Sequence, residues 1–158
     1  MNPRRNSILN SIMAAALALA SCSRLPVYSH FEAVDQAGWA RNDTISFTIT
    51  AKQAGTYQLR LDLRTNSLFP YTQLTLLTHF HSQRSHVEKD TTLLFNITNA
   101  EGYVQGRGTG TYQYQAALSP VMLSRNDTLR ISIRHGMSRD VLPGIVDMGI
   151  TAEGENHQ

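Results

Sequence analysis

Hydrophobic and polar residues alternate along most of this chain, which is the pattern of β-strands with one buried face. Between Tyr57 and Leu63 every odd position is apolar and every even position is polar. Comparable runs fall at 45–50, 71–80, 87–97, 112–116, 129–134 and 145–152, separated by Asn, Asp, Gly and Pro. Seven or eight short strands divided by turn formers predict an all-β fold, a two-sheet antiparallel β-sandwich that is Greek-key or jelly-roll-like.

The same alternation predicts which side chains are buried. Leu74, Leu76 and Phe80 fall on one face of their strand, whereas Leu94 falls on the outer face of the next. Trp39 stands alone just before the first strong run, so we expect a core or edge anchor there.

The first 22 residues follow a different pattern. Arg4 and Arg5 precede an apolar run at 8–20, and the motif Leu19-Ala20-Ser21-Cys22 resembles a bacterial lipobox. Positive, apolar and small residues in this order are typical of a secretory signal, and about 13 apolar residues are too few to span a bilayer. A cysteine thiolate is the nucleophile that becomes the lipid thioether. We therefore predict lipidation at Cys22 and cleavage just before it.

These patterns divide the chain into four parts. They are a lipoprotein signal peptide at 1–21, a lipidated tether and an entry segment wrapped into the domain at 22–43, a β-sandwich at 44–153 and a polar C-terminal tail at 154–158. Removing 21 of the 158 residues leaves 137, enough for one hydrophobic core. The cleaved part contains Arg4 and Arg5, so the net charge falls from +2 to zero. A neutral domain with scattered cations predicts no nucleic-acid partner.

Three histidines are candidate metal ligands. His79 and His81 lie on one face of a predicted strand, and His86 follows closely; two histidines and a third ligand can bind zinc or copper. The pair is expected on the solvent side, and no acidic or cysteine partner follows at ligand spacing, so we predict no metal site. Motifs for nucleophilic or paired-carboxylate catalysis are also missing from the sequence, which predicts a non-enzyme without a cofactor.

One tetrapeptide occurs twice. Arg-Asn-Asp-Thr at 41–44 and again at 125–128 leads directly into an alternating run. Asn and Asp favour turns and tolerate left-handed backbone, so shared turn chemistry explains the repeat, and a domain duplication is not indicated.

Further motifs cover nearly all of the chain after the leader. In order they are Cys22, Trp39, Asp43-x-Ile45-x-Phe47, Tyr57-x-Leu59-x-Leu61-x-Leu63-Arg64, Phe69-Pro70-Tyr71 with Leu74, Asp90-Thr91, the stretch 102–110, Ile133-Arg134-His135-Gly136-Met137, and Leu142-Pro143-Gly144-Ile145-Val146-Asp147-Met148-Gly149-Ile150. Together they resemble the GldH family of gliding-motility lipoproteins, and the two C-terminal motifs are the most specific.

The resemblance implies a non-catalytic scaffold or adaptor of a gliding-motility apparatus and its associated secretion system for surface adhesins. Its expected partners are the membrane, through acyl chains on Cys22, and other envelope proteins of that machinery. The resemblance also implies an outer-membrane lipoprotein, and the lack of an acidic cluster after Cys22 favours a domain that faces the periplasm.

Two questions stay open from the sequence. The C-terminal motifs serve either packing or partner docking, with His135 and Asp147 as the docking candidates. The alternative function is glycan binding by an envelope β-sandwich, with stacking on Trp39, Tyr57, Tyr103, Tyr112 and Tyr114. Aromatic residues aligned on an exposed face would favour glycan binding, and exposed edge strands or patches would favour an adaptor.

Overall fold

The computed structural model describes residues 26–155, so the predicted signal peptide, Cys22 and residues 156–158 lie outside the described part. Its strands are β1 (Tyr28–Ala33), β2 (Trp39–Ala40), β3 (Ile45–Thr50), β4 (Gly55–Asn66), β5 (Gln73–Ser82), β6 (Val87–Asn96), β7 (Thr111–Ala117), β8 (Val121–Leu123), β9 (Thr128–His135), β10 (Val141–Leu142) and β11 (Ile145–Glu155). The described residues contain no helix, which confirms the prediction of an all-β fold.

The strands form two main antiparallel sheets. One has the order β1-β11-β4-β7, with β8 also paired to β4, and the other has the order β3-β9-β5-β6. A small third sheet joins β2 to β10. Only β5 and β6 are both consecutive in the chain and paired in a main sheet, so most connections cross between sheets. This crossing is typical of Greek-key and jelly-roll sandwiches.

Alternating apolar side chains fill the space between the two main sheets. The largest fully buried ones are Trp39, Phe47, Ile49, Leu61, Leu63, Leu74, Leu76, Leu123, Leu129, Ile131, Ile133 and Leu142. Each such side chain stabilises the fold by about 1.5–3 kcal/mol relative to an exposed one. Leu94 points outward as predicted.

The sheet begins earlier and ends later than the sequence predicted. Strand β1 lies inside the segment 22–43, predicted to be a tether and an entry segment, and pairs with β11 from Tyr28 opposite Ala152 to Ala33 opposite Asp147. Strand β11 continues to residue 155, beyond the predicted boundary at 153. Most side chains of β1 are exposed, so the strand is held mainly by its backbone hydrogen bonds to β11. Because its side chains do not alternate between buried and exposed, the sequence pattern does not identify it as a strand.

Candidate functional site

The outer faces of the two main sheets differ in how their polar groups are used. On the five-stranded sheet, Asp62 of β4 is only 1% exposed and accepts a hydrogen bond from Gln115 Nε2 at 2.7 Å. Gln113 Nε2 and Thr151 Oγ1 donate to the same carboxylate, each at 3.3 Å. The Arg60 guanidinium lies 3.3 Å from its Oδ2. These groups satisfy one another, as buried polar groups must, so the Asp62 carboxylate is fully used by its neighbours.

Asp147, a candidate for partner docking, lies on the same sheet. Its register partner on β4 is Arg64, and the two form a bidentate pair with Nε–Oδ1 at 2.6 Å and Nη2–Oδ2 at 2.5 Å. The Arg64 guanidinium carbon also lies 5.0 Å from the centre of the Phe31 ring. Bidentate pairing uses both carboxylate oxygens. In this structure both oxygens of the Asp147 carboxylate bind a side chain of the same domain. The sequence pattern did not identify Arg64 as its partner.

His135, the other docking candidate, is buried beneath Trp39 and only 2% exposed. The rings meet edge to face with centroids 5.3 Å apart, and His135 Nε2 donates to the Trp39 carbonyl oxygen at 3.1 Å. Within residues 26–155, His135 Nδ1 is buried without a hydrogen-bond partner. A residue enclosed in this way cannot dock a partner, so the structure corrects the docking hypothesis for His135. Trp39 is a core anchor, as predicted.

Burial lowers the pKa of His135 below its ordinary value of 6.5. The unfolded chain therefore binds a proton more readily than the folded chain, and His135 stabilises the fold fully only above pH 6.5. We expect the free energy of unfolding to decline as the pH falls from 6.5 towards the folded pKa. Urea unfolding of wild type and His135→Phe across this range measures the effect. If the free energy of unfolding changed with pH in the same way for wild type and His135→Phe, the expected role of His135 would be contradicted.

The outer face of the four-stranded sheet is open and carries ionisable side chains, and we call it the histidine face. On its β5–β6 side lie His79 and His81 of β5 with Glu88 and Asp90 of β6, paired as His79 with Asp90 and His81 with Glu88. His81 Nδ1 lies 2.7 Å from Glu88 Oε2, and His79 lies 3.2 Å from Glu88 Oε1 and 2.9 Å from Asp90 Oδ1. The acidic partners of His79 and His81 could not be predicted from sequence spacing, because they approach only across the β5–β6 hairpin.

His86 does not join this group. It lies in the turn before β6 with a left-handed φ of 51°, outside the cluster of His79, His81 and Glu88. The structure therefore replaces His86 with Glu88 as the third member. With the register of the β5–β6 hairpin known, counting outward from its turn would have placed Glu88 opposite His81.

Apolar and cationic side chains extend the histidine face. Leu77 and Leu94 are both exposed on it, Leu94 by 58%, while Arg130 and Arg134 of β9 lie beside His81 and Leu77. Strand β6 is also one of the two edge strands of this sheet, the other being β3. An exposed edge with apolar side chains is a surface to which another protein can add.

The aromatic residues proposed for glycan stacking do not line up on an exposed face. Trp39, Tyr57 and Tyr114 are buried, and Tyr112 is half-buried. Tyr103, at 71%, is the exposed member of the five. Among the described residues, these five side chains form no flat aromatic platform.

In residues 26–155 there is no helix that is both long and apolar enough to cross a membrane.

Comparison with known proteins gives a family and a relative. The family model described as GldH lipoprotein matches residues 26–152. A curated relative from Flavobacterium johnsoniae, named Gliding motility lipoprotein GldH, is 26% identical over 98 residues, which span 61% of this chain and 60% of the relative. The aligned region thus spans less than two thirds of that relative.

Solved structures of similar shape include carbohydrate-binding modules of family 35. One, described as in complex with a disaccharide containing glucuronic acid, has a TM-score of 0.44 at 15% identity, covering 85% of this chain and 84% of that one. Another, from Clostridium thermocellum, has a TM-score of 0.42 at 12% identity, covering 81% and 91%. TM-scores below 0.5 carry no argument about ligand or function.

Proposed function

Because the chain belongs to the GldH lipoprotein family, we propose that it is a cell-envelope lipoprotein that serves as a non-catalytic scaffold or adaptor of a gliding-motility or associated secretion apparatus. The observation that carries this proposal is the family match, which spans nearly the whole described domain. The name of the Flavobacterium relative supports the link to motility.

The proposal includes removal of residues 1–21 and attachment of acyl chains to Cys22. Strand β1 begins at Tyr28, so the chain between Cys22 and the sheet reaches at most about 20 Å when fully extended. The tether is therefore only the first part of the segment 22–43. A sandwich held this close to the bilayer can bind partners only near the membrane surface.

We place this anchor in the outer membrane because of the family resemblance, with the domain facing the periplasm because no acidic residue occurs at 23–26. Protease treatment of intact cells tests this placement. The protein is expected to survive until the outer membrane is opened, and its loss from intact cells would contradict a periplasmic position.

An adaptor has more support than the alternative, a glycan-binding envelope lipoprotein. The aromatic residues that glycan binding would use are mostly buried, whereas β6 offers a free edge and the exposed Leu94. Protein partners commonly use apolar anchors and unpaired strand edges.

Substituting Leu94 with aspartate is expected to reduce the recovery of envelope proteins bound to this chain. The change places a charge on the exposed apolar part of the histidine face and leaves the core untouched. A loss of about 1.4 kcal/mol of binding free energy corresponds to a tenfold weaker complex. Affinity purification of tagged full-length protein from native membranes, with quantitative mass spectrometry, measures the recovery.

Met122→Asp is the matched control, since Met122 is also exposed but lies on β8 of the other sheet. Equal partner recovery with both variants would argue against docking at the histidine face. Recovery of polysaccharide without envelope proteins would favour the glycan-binding alternative.

A further inference from the structure

Donor atoms of His79, His81 and Glu88 lie close together on the histidine face. One ligand atom from each lies within 4.8 Å of the other two. The three side chains project from paired strands whose register is continuous from Gln73 to Ser82, so their spacing is set by the sheet. Sites built on paired strands hold their geometry better than sites built on loops.

Asp90 determines which atom of His79 faces the centre of the cluster. His79 Nδ1 lies 2.9 Å from Asp90 Oδ1, and its Nε2 lies 3.2 Å from Glu88 Oε1. A neutral imidazole carries a single N–H, so it can donate to only one of these two carboxylates. If His79 donates to Asp90, the lone pair of its Nε2 faces the Glu88 carboxylate oxygen, and two electron-rich atoms repel each other. A cation bound between these two atoms removes the repulsion.

We propose that His79, His81 and Glu88 bind a transition-metal dication of the zinc type. Two imidazole nitrogens and a carboxylate oxygen are a ligand set that Zn²⁺ accepts with bonds of about 2.0–2.2 Å. Asp90 serves as a positioning residue, because a carboxylate that accepts the second N–H of a ligand histidine fixes its tautomer and orientation. The fourth coordination position faces solvent and is open to water or to a side chain of a partner.

The surrounding charges limit the affinity of this site. Glu88 and Asp90 attract a dication, whereas Arg130 is the neighbour of His81 on the other side of β5 and repels it. The site is exposed, so water and salt screen both contributions. We expect reversible binding of one metal ion per chain that a chelator removes.

Zinc titration of the full-length chain, purified in detergent and stripped with a chelator, tests the proposal. Wild type is expected to bind one Zn²⁺ saturably and to unfold at a higher temperature with the metal. His79→Ala and His81→Ala should weaken binding at least tenfold, and Asp90→Asn should weaken it about tenfold. Unlipidated preparations require Cys22→Ala in every variant, since a free thiol also binds zinc.

Two variants serve as matched controls. His86→Ala removes a neighbouring histidine outside the cluster, and His30→Ala removes one paired with Glu32 on β1. Both are expected to keep wild-type affinity. The unfolding temperature without metal should stay the same for His79→Ala and His81→Ala. Absence of saturable binding to wild type, or equal affinity in wild type and His81→Ala, would overturn the proposal.

Discussion

Replacing Asp127 with alanine is expected to lower the free energy of unfolding by about 3 kcal/mol, a large part of the stability of a domain of this size. Asp127 is buried in the turn that leads into β9. Its Oδ2 accepts hydrogen bonds from Ser82 Oγ at 2.5 Å, from the Ser85 amide at 2.9 Å and from the Ser85 hydroxyl. Its Oδ1 accepts from the Thr128 amide at 2.7 Å. Alanine would leave these donors without their acceptor and release two turns from each other.

The repeated tetrapeptide supplies the control for this experiment. Asp43 occupies the same position as Asp127 in Arg-Asn-Asp-Thr, and each donates its amide to the carbonyl three residues earlier, at 3.0 and 3.1 Å. The shared turn chemistry was predicted, but the Asp43 side chain is exposed. Asp43→Ala should therefore change stability by less than about 0.5 kcal/mol. If chemical denaturation showed the same loss of unfolding free energy for Asp43→Ala and Asp127→Ala, the loss would come from turn propensity and not from the buried carboxylate.

The Asp127 contribution should also depend on pH. Burial raises the pKa of this carboxyl, but hydrogen bonds from Ser82, Ser85 and Thr128 outweigh it, so the pKa lies below the ordinary value of 3.8. The stabilisation is thus fully present above pH 3.8 and disappears as the pH falls through the folded pKa. The stability difference between wild type and Asp127→Asn should shrink in that range. A difference that is constant with pH would contradict a charged Asp127.

Substituting Cys22 with alanine is expected to abolish lipid attachment completely. Alanine has no thiol to alkylate, and processing just before residue 22 depends on that lipid. Two or three acyl chains hold a protein stably, at about 0.8 kcal/mol per buried methylene, whereas a single chain is marginal. Labelled palmitate should therefore enter the wild-type protein and not Cys22→Ala.

The intact mass of the protein from native membranes measures both steps. Wild type should lack residues 1–21 and carry acyl chains, and Ser23→Ala, the adjacent control, should behave in the same way. A wild-type protein without added mass on Cys22 would contradict the lipid anchor. Because the described fold begins after Cys22, the variant domain should unfold at the wild-type temperature.

Local sequence patterns predicted the features that depend on local alternation. Leu61 and Leu63 were expected in the core and Leu94 outside it, and the structure agrees. A period of two is a property of each strand by itself, so no knowledge of its neighbours is required.

Features that depend on pairing between distant strands were missed. Glu88 approaches His79 and His81 only through the hairpin register, and Arg64 meets Asp147 only because β4 pairs with β11. Strand β1 was not predicted as a strand, because it is held by backbone hydrogen bonds to the distant strand β11. Register and strand order are set by the whole fold, so they cannot be read from a single segment.

Export of surface adhesins by the native bacterium tests the central claim most directly, that this lipid-anchored sandwich supports the gliding and secretion apparatus. The measurement is the amount of adhesin on cells that lack the gene and carry a plasmid-borne copy of either wild type or Cys22→Ala at equal protein levels. Wild type should restore adhesin export, whereas Cys22→Ala should leave it at the level of the deletion. Adhesin export that is unchanged by the deletion would contradict the account.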